Sequence, residues 1–165
     1  MIAIIGNLAS GKSTLAKLIH QQLDHYTYLS IDEFRVRFQA HTKRGEANAW
    51  QALAIAAHKS ENIIFESSGT ANHFPEVIEK FKKKGGKVLV VQLECSVHEC
   101  LIRRRQQLKS GYIPPPFPYK TNIATSISVI HTRLASAKAD LIFNSETHTP
   151  EQIFGFLSKN PFSNP

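Results

Sequence analysis

The sequence predicts an α/β fold in which a parallel sheet carries helices on both faces, and three observations support this. Short aliphatic runs alternate with helical patterns along the whole chain. The five runs are apolar throughout and lack the alternation expected of a strand that is exposed on one face. With 165 residues, 42% of them hydrophobic, the chain has the size of a single domain, 1–165.

The first half of the chain predicts three strands and three helices. Apolar residues three or four positions apart mark each helix, and Gly85-Gly86 is expected to end the third one. The polar segment from Asp32 to Arg44 shows no regular pattern. In order, the predicted elements are a strand at Met1–Ile5, a helix from Ser13 to about Leu23, a strand at Tyr26–Ile31, a helix at Ala47–Ala57, a strand at Asn62–Glu66 and a helix at Phe74–Phe81.

The second half predicts two more strands and three helices. Ser96-Val-His-Glu99 and Thr149-Pro-Glu-Gln152 have the pattern of capping boxes, in which side chains at both ends satisfy free amides at a helix start. The proline-rich segment Ser110–Tyr119 excludes regular structure. The predicted elements are a strand at Lys87–Leu93, a helix to about Leu108, a helix at Ile123–Ala137, a strand at Leu141–Phe143 and a last helix after Thr149.

A short glycine-rich segment carries the predicted chemistry. Gly6-Asn-Leu-Ala-Ser-Gly-Lys-Ser13 matches G-x4-G-K-[ST], the P-loop pattern, between a predicted strand and a predicted helix. The glycines allow backbone amides to point at phosphate oxygens, and the helix directs its positive end at the same group. Lys12 is expected to reach the β- and γ-phosphates and Ser13 to bind Mg²⁺, whereas the alternative is a simple turn capped by Ser13. The predicted nucleotide-binding residues here are Gly6, Asn7, Leu8, Ala9, Ser10, Gly11, Lys12, Ser13 and Thr14.

Several classes of nucleotide-binding protein are disfavoured by missing motifs. The N-K-x-D tetrapeptide and D-x-x-G switch of GTPases are absent, as is the L-S-G-G-Q signature of transport ATPases. The chain is also short for a transport ATPase or a helicase. Small kinases that use ATP remain.

Further segments resemble polynucleotide kinases and related small P-loop kinases of the shikimate kinase type. These segments are Leu29–Arg35, Ile63–Thr70, Cys100–Gly111 and Ala139–Asn144. The resemblance implies a three-layer α/β/α fold, a sheet in the order 2-3-1-4-5, a lid at about 105–122, and Mg²⁺-dependent transfer of the γ-phosphoryl group of ATP. The sequence departs from the family at Glu66, where aspartate is commoner, at Lys109-Ser110, where these kinases tend to have an arginine beside the glycine, and at the Pro114–Pro118 run. These departures leave the acceptor open between a nucleoside, a nucleotide, a nucleic-acid 5′ end and a small metabolite.

The resemblance, together with the positions of the residues, gives candidate site residues on the acceptor side. Asp32 would orient the attacking hydroxyl as a catalytic residue, although an aspartate after a strand also serves as a helix N-cap. Arg35, three residues on, would bind an anionic group of the acceptor or lie solvated on the surface. Glu66, at the carboxyl end of its strand, would hold a water on Mg²⁺ or make a structural hydrogen bond. The residues that follow would line the acceptor pocket or form a simple turn; they are Ser67, Ser68, Gly69 and Thr70.

Three consecutive arginines precede the predicted lid. Because they cannot share one helix face, one or two of them would reach the nucleotide; Arg103 and Arg104 are assigned to it, with Arg104 as the catalytic cation. Lys109 would be a lid cation or a favourable charge at a helix end. The proline-rich segment would close over ATP and exclude water, or form a plain surface loop or a peptide-docking segment.

Composition adds limits on location and partners. The net charge of +7 fits anionic partners but does not choose between nucleotides and nucleic acid, so a basic nucleic-acid-binding module or an ATP-binding regulatory protein without turnover remain alternatives to a kinase. The lysines around Gly85-Gly86 are a solvated face or a nucleic-acid contact. Cys95 and Cys100 are expected to be buried reduced thiols, and the eight scattered histidines predict no metal cluster. Without a signal or membrane segment in the sequence, we expect a cytoplasmic protein; its oligomeric state stays open.

Overall fold

The computed structural model describes residues 1–119 and 121–159, and Lys120 of the predicted lid lies outside them. Five parallel strands form one sheet in the order β2-β3-β1-β4-β5, which confirms the expected topology. The strands are β1 (Ile2–Gly6), β2 (Thr27–Ser30), β3 (Ile63–Glu66), β4 (Leu89–Glu94) and β5 (Leu141–Asn144).

Helices cover both faces of the sheet, so the three-layer arrangement is confirmed as well. Alternate residues of the central strands face opposite layers: Ala3 and Ile5 pack with Trp50 and Phe81, whereas Ile4 packs in a second cluster with Leu15 and Ile153. The helices are α1 (Lys12–Gln22), α2 (Ile31–Arg37), α3 (Lys43–Lys59), α4 (His73–Lys83), α5 (Val97–Lys109), α6 (Ile123–Leu134) and α7 (Pro150–Leu157).

The register of the strands aligns their carboxyl ends along one edge of the sheet. Ser30 at the end of β2 pairs with Glu66 at the end of β3, and Glu66 pairs with Ile4 of β1. Gly6, where β1 ends, pairs with Leu93 of β4. The segments that follow these strands therefore meet at this edge, where open α/β sheets bind their ligands.

The polar segment after β2 contains a helix, α2, that the sequence pattern did not predict. Ile31 is buried at its start, and Phe34 packs against the core. Its apolar stripe is too narrow to give a helical period over seven residues. The N-cap of α2 is Ser30, so Asp32 lies inside the first turn and the N-cap alternative for Asp32 is wrong.

The expectation that every strand is apolar on both faces is wrong at the edges of the sheet. The residues of β5 alternate between half-buried and exposed, and 54% of Ile142 is accessible to solvent. Strand β2 is exposed at Thr27 and buried only at its carboxyl end. Each edge strand pairs on one side only, so the flanking helices cover it incompletely.

One of the two predicted capping boxes forms completely. At α7, Thr149 accepts from the amide of Gln152, and the Gln152 side chain accepts from the amide of Thr149. At α5, Ser96 accepts from the amide of Glu99. The amide of Ser96 instead donates to Glu146, a tertiary partner that the local pattern could not reveal.

Cys95 and Cys100 are both buried and free, as expected. Within residues 1–119 and 121–159, none of the helices combines the length and the apolar character needed to cross a membrane.

Candidate active site

The predicted phosphate-binding loop connects β1 to α1 and has a backbone that only a few residue types adopt. Gly6 has φ of +154° and Gly11 has φ of +93°. A Cβ atom on Gly6 would lie 2.7 Å from the carbonyl oxygen of Leu93, so the loop leaves β1 in close contact with β4. At Gly11 a Cβ atom would meet nothing within 4 Å, so there the left-handed backbone itself favours glycine. The loop therefore turns sharply into the amino terminus of α1.

Two hydrogen-bonded side chains hold the loop in this shape. Lys12 donates from Nζ to the carbonyl oxygen of Asn7 at 2.6 Å, across the loop. The buried Asn7 donates from Nδ2 to the carbonyl oxygen of Ile127 at 2.9 Å, and its Oδ1 accepts from the amide of Leu8 at 2.8 Å. Asn7 thus ties the loop to α6, and the ammonium group of Lys12 lies over the space that the loop encloses.

Several charged side chains of the site interact electrostatically with Lys12. Burial lowers the pKa of Lys12 below its ordinary value, and the negative charges of Glu66 and then Asp32 oppose that shift. The positive charge of Arg104 acts in the same direction as burial. Four side chains that the sequence analysis assigned separately therefore interact at one place: Lys12, Asp32, Glu66 and Arg104.

Glu66 is buried at the end of β3 with both carboxylate oxygens engaged. Oε1 accepts from the hydroxyl of Ser13 at 2.6 Å, and Oε2 accepts from the phenol of Tyr28. Burial, and then the charge of Glu66, raise the pKa of Tyr28, which keeps the phenol protonated as a donor. Tyr28 therefore fixes the carboxylate toward Ser13.

The Ser13–Glu66 pair fits a magnesium ion by its donor chemistry. A hydroxyl and a carboxylate oxygen in contact are hard ligands of the kind that Mg²⁺ prefers, and Mg²⁺ completes its shell with water and phosphate oxygens. Among the residues described, histidine, cysteine and acidic side chains do not form a group of three that could hold a metal alone. A metal here would thus depend on bound phosphates.

Asp32 and Arg35 project from α2 into a cluster with the first turn of α3. Arg35 donates from Nη1 to Asp32 at 2.9 Å, and its Nε and Nη2 atoms donate to Glu46 at 2.9 Å and 2.6 Å. Burial favours a lower pKa for Arg35, but the hydrogen bonds to Glu46 and the charge of Asp32 raise it overall. Trp50, one turn after Glu46, donates from Nε1 to the same carboxylate at 2.9 Å.

The turn after β3 is stabilised by its own hydroxyl groups. Ser67 accepts from the amide of Gly69 at 3.2 Å, and the hydroxyls of Ser68 and Thr70 are 3.1 Å apart. The buried Ser67 follows Glu66 directly, so this turn lies at the same edge of the sheet as Asp32. Ser68, Gly69 and Thr70 are half-buried there, next to the acceptor-side cluster in sequence and register.

Arg103 lines a cavity of about 170 Å³ on the other side of the loop. Its Nε donates to Glu99 at 2.8 Å, and Nη2 donates to the carbonyl oxygen of Ser145 at 3.1 Å. The cavity opens beside the phosphate-binding loop and the amino end of α7. Its lining includes Ser10, Gly11, Thr14, Arg103, Ser145 and His148.

Arg104 is buried, unlike its exposed neighbour Arg105, and it interacts electrostatically with Lys12. Its Nη1 donates to Gln107 at 3.2 Å, while Nε is buried without a hydrogen-bond partner. The guanidinium lies 4.5 Å from the centre of the Tyr112 ring. A buried arginine with an unused donor, held near the phosphate-binding loop, is suited to receive an anionic ligand.

The proline-rich segment contains no helix or strand between Tyr112 and Tyr119, as expected. Residues 105–109 of the predicted lid belong to α5 instead, and Lys109 is exposed in its last turn. Two arginines contact the segment: Arg104 near its start at Tyr112, and Arg35 near its end, 4.9 Å from the Phe117 ring centre. It thus links the surroundings of Lys12 to the Asp32 cluster.

Three site residues were missed by sequence reasoning. Tyr28 orients Glu66, Glu46 holds Arg35, and Phe117 covers Arg35. One signal was available for Glu46: it lies four residues before Trp50, so the two side chains share a helix face. Tyr28 and Phe117 reach the site through tertiary contacts that carry no local pattern.

The lysine run at the end of α4 includes one lysine with a structural role. Lys84 donates from Nζ to three backbone carbonyl groups near the end of α3, among them those of Ala57 and His58. It also lies 4.4 Å from the centre of the Phe81 ring. Lys84 therefore joins α4 to α3 although it is exposed, as are Lys80, Lys82, Lys83 and Lys87.

Comparisons with known proteins concern the fold. No family model and no curated protein matches the sequence. A candidate kinase from Chloroflexus aurantiacus superimposes with a TM-score of 0.73 at 18% identity, covering 96% of both chains. Shikimate kinase from Bacteroides thetaiotaomicron gives a TM-score of 0.62 at 17% identity, again covering 96% of both chains. A chain of the Pnkp1/Rnl/Hen1 RNA repair complex gives 0.65 at 16% identity, over 81% of this chain and 43% of that one.

The chain has the fold of the P-loop kinases. The structural neighbours are kinases of the group that the sequence resembles, which confirms the expected fold. The carboxyl edge of the sheet carries the predicted phosphate-binding loop, the Ser13–Glu66 pair and the Asp32 cluster.

Proposed function

We propose that this protein is an ATP- and Mg²⁺-dependent kinase that transfers the γ-phosphoryl group to a hydroxyl of a nucleoside, nucleotide, nucleic-acid 5′ end or small metabolite. The observation that carries the proposal is the sharply bent loop between β1 and α1, with Lys12 hydrogen-bonded across it and Ser13 hydrogen-bonded to Glu66. Lys12 also interacts electrostatically with Glu66, Asp32 and Arg104, and such a set of charges fits phosphoryl transfer.

The nucleotide would lie along the loop and α1. Backbone amides of the loop and the positive end of α1 would hold the phosphates. Lys12 would exchange its hydrogen bond with Asn7 for the β- and γ-phosphate oxygens. The cavity beside Arg103 and His148 supports a position for the base, because it adjoins Gly11 and Thr14 at the start of α1.

Ser13 and Glu66 are the residues that would hold Mg²⁺. When bound, the ion would neutralise charge on the phosphate oxygens. Ser13 would offer its hydroxyl as a ligand, and Glu66 would accept a hydrogen bond from a coordinated water or bind directly. Tyr28 would keep Glu66 oriented in either case.

Asp32 would align the attacking hydroxyl of the acceptor. The hydroxyl oxygen forms a bond to the γ-phosphorus while the bond from that phosphorus to the β,γ-bridging oxygen breaks, and ADP leaves with that oxygen. The hydroxyl proton passes to Asp32, either during or after the transfer. Arg104 and Lys12 would stabilise the charge on the transferred group, because Arg104 is buried and Lys12 is half-buried at the loop.

The test is transfer of label from γ-labelled ATP to a panel of acceptors. The panel contains 5′-hydroxyl oligonucleotides, nucleosides, nucleotides, sugars and small hydroxy acids, shikimate among them because a structural neighbour is named for it. We expect Mg²⁺-dependent transfer to at least one class, and its loss in Lys12→Ala. Lys17→Ala is the matched control, since Lys17 is an exposed lysine of the same helix.

Three results would contradict the proposal. Transfer at the full rate in Lys12→Ala would separate the activity from the phosphate-binding loop. ATP binding without a labelled product from any acceptor would favour a regulatory protein. Salt-sensitive binding of DNA or RNA without ATP-dependent product would favour a nucleic-acid-binding module.

A further inference from the structure

The guanidinium of Arg35 uses three of its five N–H donors, one on each nitrogen atom, in hydrogen bonds to carboxylates of this chain. Each of its three nitrogen atoms donates a hydrogen bond: Nη1 to Asp32, and Nε and Nη2 to the two oxygens of Glu46. The contact to Glu46 is a bidentate pair, the geometry that holds arginine most firmly. Glu46 is itself held by the indole of Trp50. An incoming anion would have to share the nitrogen atoms of Arg35 with these two carboxylates.

Arg35 is also covered on one face of its guanidinium group. The Phe117 ring centre lies 4.9 Å from its central carbon. The side chain of Arg35 is only 16% exposed, and that of Glu46 is 13% exposed, whereas Asp32 remains 43% exposed. The cluster therefore presents the Asp32 carboxylate to a ligand, and it shields the arginine.

Asp32, Arg35 and Glu46 together carry a negative net charge. Two carboxylates, Asp32 and Glu46, surround one guanidinium, so the net charge is −1. A phosphate or carboxylate on the acceptor near its reacting hydroxyl would meet this excess of negative charge in a partly desolvated place. An uncharged acceptor meets no such repulsion and can donate its hydroxyl to the open carboxylate of Asp32.

We propose that the acceptor is an uncharged hydroxyl compound, and that Glu46 determines this specificity by occupying Arg35. The inference rests on the proposed kinase function and narrows its substrate class. Glu46 touches neither reacting atom in this scheme, and it acts through Arg35. If Glu46 loses its charge, the bidentate pair weakens and the cluster becomes neutral, so Arg35 becomes available to an anionic acceptor.

The experiment compares acceptors that differ by one phosphate group. Binding of adenosine and adenosine 3′-monophosphate, and of glucose and glucose 1-phosphate, is measured by calorimetry with Mg²⁺ and a non-hydrolysable ATP analogue present. Adenosine 3′-monophosphate carries its phosphate on the same ribose as the free 5′-hydroxyl, and glucose 1-phosphate carries it on the same ring as the free 6-hydroxymethyl group. The fluorescence of Trp50, the single tryptophan of the chain, reports whether the ligand binds beside Glu46.

Three proteins are compared: the unmodified chain, Glu46→Gln, and Glu79→Gln. Glutamine keeps the size of Glu46 and an acceptor for the Trp50 indole, and thermal melting checks that the fold is retained. Glu79 is an exposed glutamate of α4, so its variant controls for the loss of one negative charge. In the unmodified chain, we expect at least one uncharged compound to bind about tenfold more tightly than its phosphate ester. In Glu46→Gln the preference should disappear or reverse, and in Glu79→Gln it should remain.

Several outcomes would overturn the inference. In the unmodified chain, these are a phosphate ester that binds as tightly as its uncharged partner, and the failure of both uncharged compounds to bind. Ligand binding that leaves the Trp50 fluorescence unaltered would also contradict it. So would Glu46→Gln, if that variant kept the preference for the uncharged compound. Lys43 and Arg44 are exposed at the start of α3. An anion preference that is lost on Lys43→Gln or Arg44→Gln would assign recognition to them and contradict the role of Glu46.

Failure of this inference is distinguishable from failure of the proposed function. Label transfer from ATP to an anionic acceptor would support the kinase and refute the uncharged acceptor. Binding of an uncharged compound beside Trp50, with no label transfer to any acceptor, would support a site for uncharged compounds and refute the kinase.

Discussion

The proposed nucleotide side and the proposed acceptor side of the site differ in how their residues are brought together. The phosphate-binding loop and the first turn of α1 are continuous in sequence from Gly6 to Thr14, and one sharp backbone bend arranges them. The acceptor side combines α2, the start of α3, the turn after β3 and the proline-rich segment. The first side is therefore defined by local chemistry, whereas the second is defined by tertiary contacts.

This difference has a consequence for substitutions. Residues of the nucleotide side should affect ATP, Mg²⁺ and the transferred group, irrespective of the acceptor offered. Residues of the acceptor side should affect the acceptor and leave ATP binding largely intact. A variant that changed both sets of parameters equally would show that the two sides form one cooperative unit.

Arg104→Gln is expected to have the largest effect on kcat among the following substitutions. The substitution removes a buried cation with an unused donor near Lys12, so charge on the transferred phosphoryl group would lose a stabilising partner. We expect kcat to fall about a thousandfold, in steady-state assays with saturating ATP and acceptor. Arg105→Gln is the control because Arg105 is the exposed neighbour. Equal losses in both variants would contradict the assignment of Arg104.

Asp32→Asn should lower kcat about a hundredfold and leave the ATP dissociation constant nearly unchanged. Asparagine keeps an oxygen for Arg35 but accepts a proton far less readily than a carboxylate. The measurement is kcat beside calorimetric ATP binding, with Glu33→Gln as an exposed control from the same helix turn. An unchanged kcat would reduce Asp32 to a structural partner of Arg35.

Glu66→Gln should raise the Mg²⁺ concentration needed for half-maximal activity about tenfold. The carboxylate charge next to Ser13 disappears, while the hydrogen bond from Tyr28 can persist. A Mg²⁺ titration at fixed ATP measures the effect. Glu61→Gln, at the opposite end of β3, serves as the control. If the Mg²⁺ requirement stays the same, Glu66 has a structural role only.

The smallest effect is expected for Phe117→Leu on the acceptor side. Loss of the cation–π contact with Arg35 should raise the acceptor KM about threefold and leave the ATP KM unchanged. Phe156→Leu removes an exposed phenylalanine from α7 and is the control. A rise confined to the ATP KM would place Phe117 with the nucleotide side instead.

Much of the fold was predictable because it depends on local and periodic signals. The alternation of apolar strands and helices predicted the layers. The loop motif predicts a nucleotide site with Lys12 and Ser13, and that assignment stays a prediction. The sheet order came from the resemblance to small P-loop kinases, and the structure confirms it.

The parts that were not predictable depend on long-range contacts. Helix α2 buries Ile31 and half-buries Phe34 within a polar stretch, so no helical period shows in the sequence. The carboxylate of Glu46 reaches Arg35 because α3 folds back on α2, and Phe117 reaches it from more than 80 residues away. Contacts such as these join side chains on different elements and leave no recognisable motif in the sequence.

Titration calorimetry with Mg²⁺ and ATP tests the central claim most directly, because every proposed role begins with a triphosphate bound in the loop between β1 and α1. We expect the unmodified protein to bind one ATP per chain, and Lys12→Ala to bind it at least about tenfold more weakly while Lys17→Ala binds normally. No detectable binding of ATP or any other nucleoside triphosphate by the unmodified protein would contradict the account.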